Sequence, residues 1–204
     1  MRIYILGASV LVLVIVAACG RTASEPATPE ARQVPVATVK DLMLSIIDTN
    51  ADVVWQSVSA VSNAEGTTET RPQTDEDWAR VRYGALALAE SANLLMVPGR
   101  KVARPGERSE VPGIELEPEE MDALIARDHA AFYKHAVALR DAALDVVAAV
   151  DRKDADKVFE IGEHIERACE GCHTQFWYPN EKIPPVTIEG GTDIGSGNEP
   201  AAKK

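Results

Sequence analysis

Four stretches of this chain space their apolar residues three and four apart, and no stretch alternates them two by two. That pattern constrains the fold more than any other feature, because a period near 3.6 marks one stripe of a helix. The first stretch opens near Thr38 and reads Val39, Met43, Ile46, Ile47, Val54, Trp55, Val58, with Asp48-Thr49-Asn50 as a weak point, kinked or continuous. The second follows the polar stretch Gly66 to Asp75. There Thr74 is a good cap, with Asp77 three residues on, and the stripe Trp78, Val81, Ala85, Leu88, Ala92, Leu95 halts at Pro98-Gly99.

Residues 98 to 118 hold four prolines and three glycines and read as a loop. The third helix starts around Pro118, favourable in a first turn, with Glu119 and Glu120 set against the helix dipole. Met121, Leu124, Ile125, Phe132, Leu139, Val146 and Val150 give its apolar face. The fourth opens at Asp154 with the stripe Val158, Ile161, Ile165, Ala168, Cys172, Phe176, and Pro179 ends it.

Four amphipathic helices with a short link in each half predict an all-α protein, an antiparallel four-helix bundle, and no sheet. The bundle is expected over residues 37–179, roughly 140 residues and enough for one domain with a real core. Residues 19–36 are rich in Ala, Pro, Glu and Thr without an apolar period and read as a flexible tether. Residues 180–204 carry Pro184-Pro185 and Gly190-Gly191 and read as a disordered tail.

The fourth helix also carries the chemistry. Cys169-Glu170-Gly171-Cys172-His173 has the C-x-x-C-H form by which a c-type haem is held covalently. Two thiols add across two vinyl groups, and the next imidazole ligates iron. On a helix the three side chains stand at i, i+3 and i+4, on one side that can lie flat against a macrocycle. A bare C-x-x-C also suits a redox dithiol or half of a zinc site. A four-thiolate zinc site needs a second pair, and there are only three cysteines. A thioredoxin-type motif belongs at a helix start after a strand, whereas this one stands near the end of a helical pattern. One haem c per chain is therefore expected, bound covalently in the bundle.

The remaining cysteine, Cys19, belongs to the N-terminus. Met1-Arg2-Ile3-Tyr4 is a short basic start, and Ile5 to Ala18 is apolar but too short to span a bilayer comfortably. Val16-Ala17-Ala18-Cys19 resembles a bacterial lipobox. The resemblance implies that residues 1–18 are a lipoprotein signal peptide and that Cys19 is lipidated; an ordinary signal peptide or an uncleaved anchor are the alternatives. The expected location is the periplasmic face of a bacterial membrane, reached through the lipid anchor. Gly20 in place of Asp favours the outer membrane under the sorting rule of enteric bacteria. Loss of Arg2 with the signal takes the formal charge from −11 to −12. An acidic chain is a poor match for nucleic acid and suits a redox partner with a basic docking patch.

The helix order and the motif's place near the C-terminal end resemble the cytochrome c′ family over residues 37–178. The resemblance implies haem packed inside one end of the bundle, thioethers from Cys169 and Cys172, and His173 as the proximal iron ligand. In low-spin members a Met early in the first helix is the distal ligand, and Lys40-Asp41-Leu42-Met43 puts Met43 there. The alternative for Met43 is an ordinary core residue. Met96, Met121 and His135 are weaker ligand candidates, and His129 and His164 read as surface residues. High-spin members often carry a basic residue four positions after the proximal His; here it is Trp177, within Phe176-Trp177-Tyr178-Pro179, a run expected to close the core, with a cap on the haem edge or the bundle end as the alternative. Family members are often dimers, so a homodimer is an implied possibility.

These features together suggest a one-electron carrier rather than an enzyme. The second reading is a haem protein that binds nitric oxide or carbon monoxide at an open or Met-displaceable site. A peroxidase ranks below both, since no distal acid–base pair is legible.

Overall fold

The computed structural model describes residues 33–181. The signal peptide, the lipidation of Cys19, most of the tether and nearly all of the tail therefore lie outside the described residues. What is described is mostly helical. Among the described residues no helix is long and apolar enough to cross a membrane.

The first helical stretch is continuous but not uniform. It comprises α1 (Val39–Leu42), a π-helical segment (Met43–Ile47) and α2 (Asp48–Ser57). Thr38 caps it with a reciprocal pair, its hydroxyl accepting from Asp41 N–H at 3.0 Å and its own N–H reaching Asp41 Oδ2 at 3.1 Å. The irregularity lies one turn before the weak point at Asp48-Thr49-Asn50. Those three residues are regular α-helix, and the Asn50 amide donates back to the Ile46 carbonyl at 2.7 Å, which braces the junction.

The expectation of no strand fails at the next element. Ser59–Asn63 (β1) and Gly66–Thr70 (β2) form an antiparallel hairpin, with Asn63 opposite Gly66 and Ser59 opposite Thr70. Every residue of β2 is exposed, so neither face has a core to bury and no period-two pattern is written into the sequence. The Thr-rich strand and the Asn/Gly ends of the turn supply the local preference instead.

The second stretch is α3 (Asp75–Leu95), capped by Thr74 and Asp77 as expected. The third is two helices rather than one. α4 (Pro118–Arg127) stops at Asp128, whose backbone leaves the helical region at φ −130°, ψ 58°. The Asp128 side chain then accepts from Ala131 N–H and caps α5 (His129–Val150). α6 (Ala155–Phe176) opens on the Asp154 cap, and its helix ends before Pro179 is reached.

α3 packs on α5, α5 on α6, α6 on α2, and α2 on α3, so these helices meet around one core. The sides of α3 and α5 that face it are rich in alanine: Ala85, Ala89 and Ala92 on one, Ala136, Ala142, Ala143 and Ala149 on the other, all buried. Small residues let the two backbones approach while Leu88, Val146, Ile161 and Ile165 fill the interior. The α2–α3 contact is tight at one glycine. A Cβ on Gly84 would stand 2.8 Å from Val53 Cγ1 and 3.1 Å from Val53 Cβ. Gly84→Val is expected to lower stability by about 2 kcal/mol through overpacking. In urea unfolding the midpoint should fall with the slope unchanged; an unaltered midpoint contradicts that packing.

The 98–117 connection is built on Pro-Gly dipeptides at 98–99, 105–106 and 112–113, each glycine at positive φ. Two of them close hydrogen-bonded turns, Glu107 N–H to Arg104 carbonyl and Ile114 N–H to Val111 carbonyl, with Pro and Gly where a type II turn wants them. The connection crosses to the start of α1. Val39 and Lys40 donate to the carbonyls of Lys101 and Val102, which satisfies helix-start N–H groups that have no partner within the helix. Arg104 pairs with Asp41 at 2.7 Å, and Leu116 N–H reaches the Trp177 carbonyl at 2.8 Å. One loop thus ties the first turn of α1 to the last turn of α6.

Candidate functional site

Cys169, Cys172 and His173 stand within the last two turns of α6, all half-buried. Both thiols are free, and both pack against the apolar core. Gly171, between them, faces His135 of α5. A Cβ there would lie 3.2 Å from His135 Cε1, and the His135 ring is held by Gln175 Oε1 at 2.9 Å and packs edge-on to Phe176 at 6.1 Å. Any side chain at Gly171 would press on that imidazole, so packing favours glycine at a position that the motif leaves open.

α2 meets α6 through one hydrogen bond. Trp55 donates its indole N–H to the Gly162 carbonyl at 3.1 Å. Asp48 is two turns back from Trp55, and Cys169 is two turns on from Gly162; the Asp48 carboxylate acts on the charge states of Cys169 and His173. The π-helical segment that carries Met43 precedes α2 and packs on α3. Met43 is half-buried against the core and begins the π-helical segment. Leu42 from α1, Phe132 from α5 and Phe176 from α6 pack into the same core.

The other candidates separate. Met96 and Met121 are half-buried, and the Met96 carbonyl accepts from the Tyr133 hydroxyl. His129 is exposed and packs on Tyr133 at 4.1 Å. His164, expected on the surface, is half-buried. The aromatic run also divides. Phe176 closes the core, edge-on to Phe132 at 5.7 Å, whereas Trp177 and Tyr178 turn away from it to His173. The expectation of simple core closure therefore holds for the first ring alone. Helix geometry decides this: Phe176 is the last helical residue, and the backbone leaves the helix at Trp177.

Electrostatics at the motif is set by burial. Burial first, then the carboxylates of Glu166, Asp48 and Glu170, pushes the Cys169 thiol up to about 11. Burial, then its neighbour Cys169, pushes Cys172 up to about 12. Burial also lowers the His173 pKa, against the opposing pull of Glu170, Glu166 and Asp48, and so favours the neutral imidazole that can ligate a metal. At neutral pH the pair is two protonated thiols. Because the unfolded thiols ionise near 8.5, they lose protons before the folded ones do. The thiol contribution to stability is present below that value and is lost as pH climbs through 11 to 12. In the haem-free chain, alkylation at pH 8 should run roughly 100-fold slower than at an exposed cysteine and rise about tenfold per pH unit. Rapid labelling at pH 8 with no further rise contradicts these buried thiols.

The residues fit a haem on three counts. Two unpaired thiols at i and i+3 sit on one helix, a half-buried imidazole with a lowered pKa is next to them, and apolar side chains crowd the same end. Among the described residues no three His, Cys, Asp or Glu side chains converge as a compact metal cluster needs. A groove of about 540 Å³ between α2, the hairpin and α6 is lined by Trp55, Phe159 and Gly162 and runs along α6 as far as Glu166 and Arg167, without reaching the motif residues themselves.

Three relations at the site were outside the reach of sequence reasoning: His135 on Gly171, Asp48 beside the motif, and the Tyr178 hydroxyl on Glu170 Oε2 at 2.7 Å. The glycine between the cysteines was the one available signal for the first. No protein-family model, curated protein or solved structure matches this chain.

Proposed function

We propose that this chain is a monohaem c-type cytochrome of the cytochrome c′ kind, an antiparallel four-helix bundle that carries single electrons at the periplasmic face of a bacterial membrane. The observation that carries the reading is the pairing on α6 of two free, half-buried thiols with a neighbouring imidazole whose burial favours its neutral form. Haem held there supplies one-electron exchange between Fe(III) and Fe(II). Cys169 and Cys172 would tether it through thioethers, and His173 would hold the iron. Met43, half-buried at the start of the π-helical segment, would be the second residue to hold the iron; a thioether ligand raises the potential and suits electron transfer. The bundle proposal is supported by the closed order of neighbours α2, α3, α5 and α6 around one core.

The surroundings also suit the role. Asp48 and Glu166 are exposed beside the motif, a negative rim that a partner with a basic patch would recognise. The lipidated Cys19 and the 19–36 tether complete the proposal by confining the domain near its membrane. The optical spectrum of the purified, reduced protein is the test. Sharp low-spin α and β bands, with a weak near-infrared sulfur–iron band after oxidation, are expected. A broad high-spin spectrum contradicts ligation by Met43.

A further inference from the structure

The chain leaving α6 folds back over His173. The backbone N–H groups of Trp177 and Tyr178 both donate to the His173 carbonyl, at 2.8 and 3.0 Å. That double cap turns two rings onto the imidazole. The Trp177 ring meets it edge-on, with centroids 5.0 Å apart and planes at 89°. The Tyr178 ring lies 6.0 Å away at 60°, and the two aromatic rings touch each other at 5.3 Å.

Further anchors hold the pair in place. The Trp177 carbonyl accepts from Leu116 N–H at 2.8 Å, which ties it to the 98–117 connection. The Tyr178 hydroxyl donates to Glu170 Oε2 at 2.7 Å, and Glu170 lies between the two cysteines. Tyr178 is thereby bound at both ends, by its backbone to His173 and by its hydroxyl to the residue after Cys169. Trp177 is still 37 % exposed, so one side of it faces water while the other faces the imidazole. An aromatic residue this wet at a helix end has no packing reason to be so firmly anchored.

A histidine ring rotates about χ2 in a broad, two-fold well, so its orientation is set by what surrounds it. Partners that orient a metal-ligating imidazole are ordinarily a carboxylate or a carbonyl on the free ring nitrogen. Here two aromatic rings stand against it instead. We infer that Trp177 and Tyr178 are positioning residues for His173: anchored to Leu116 and Glu170, they fix the plane of its imidazole and cover it from water. This inference rests on the reading of His173 as the iron ligand.

The test uses the full chain matured with its haem, as wild type, Trp177→Leu, Trp177→Phe and Tyr178→Phe. Electron paramagnetic resonance of the ferric iron reads the orientation of the axial imidazole, and circular dichroism checks the helix content. Wild type should give one set of g-values. Trp177→Leu should give two or more sets, or one broadened set, at unchanged helix content. Trp177→Phe should restore a single set, because an edge-on ring is kept. Tyr178→Phe removes one hydroxyl and its tie to Glu170 without loss of ring packing, and should broaden the signal less than Trp177→Leu. An unchanged signal in both Trp177→Leu and Tyr178→Phe, with haem attached, overturns the clamp and leaves the cytochrome reading intact. A wild-type chain without covalent haem overturns both, since no iron ligand remains to be positioned.

Discussion

Cys169→Ser combined with Cys172→Ser is expected to leave the mature chain with no covalently held haem. A serine hydroxyl does not add to a vinyl group as a thiol does, so both tethers vanish while His173 remains. Each single variant should keep one bridge, because the two thiols are separate half-buried groups on one helix and neither is committed to a disulfide. The measurement is haem-dependent staining of the chain after denaturing electrophoresis. Wild type and both single variants should stain and the double variant should not. Pigment that survives denaturation in the double variant would place the attachment elsewhere.

Met43→Leu is expected to change the iron rather than the fold. The substitution roughly conserves volume at a half-buried position packed against the core, so its stability cost should stay below about 1.5 kcal/mol. Leucine offers no sulfur, and the iron should become five-coordinate and high-spin. Carbon monoxide should then bind the reduced protein within seconds, whereas in the wild type it must first displace the thioether and should take minutes. The same comparison separates the two functional readings. A wild type that binds carbon monoxide as fast as the variant supports gas binding and argues against Met43 as a ligand.

The parts of the fold that were legible in the sequence are those with strong local chemistry. Thr74 with Asp77, Pro118 and Asp154 each announce a helix start by satisfying or lacking an N–H, and each stands where it was expected. The apolar stripe of α6 likewise marks its buried side, from Val158 to Phe176. What escaped has physical reasons. The hairpin is exposed on β2 throughout, so hydrophobic periodicity says nothing about it. The break at Asp128 preserves the helical spacing on both sides, and only the backbone angle of one residue reveals it. The π-helical segment from Met43 to Ile47 changes the hydrogen-bond pattern by one residue, a shift smaller than periodicity resolves.

The site divides in the same way. Cys169, Cys172 and His173 are adjacent in sequence, so their spacing alone put them on one side of a helix. The place of Asp48 beside them depends on how α2 packs on α6, where Trp55 donates to the Gly162 carbonyl. The turn of Trp177 and Tyr178 onto His173 depends on where α6 stops, and that is decided by the backbone at its last residue.

The measurement closest to the central claim is the mass of the proteolytic peptide that spans Cys169 to His173, taken from chain matured in a host with a working c-type cytochrome pathway. The peptide is predicted to carry one haem through both sulfurs, with the added mass retained after acidified organic extraction. A peptide at its bare polypeptide mass, with two alkylatable thiols, contradicts the account.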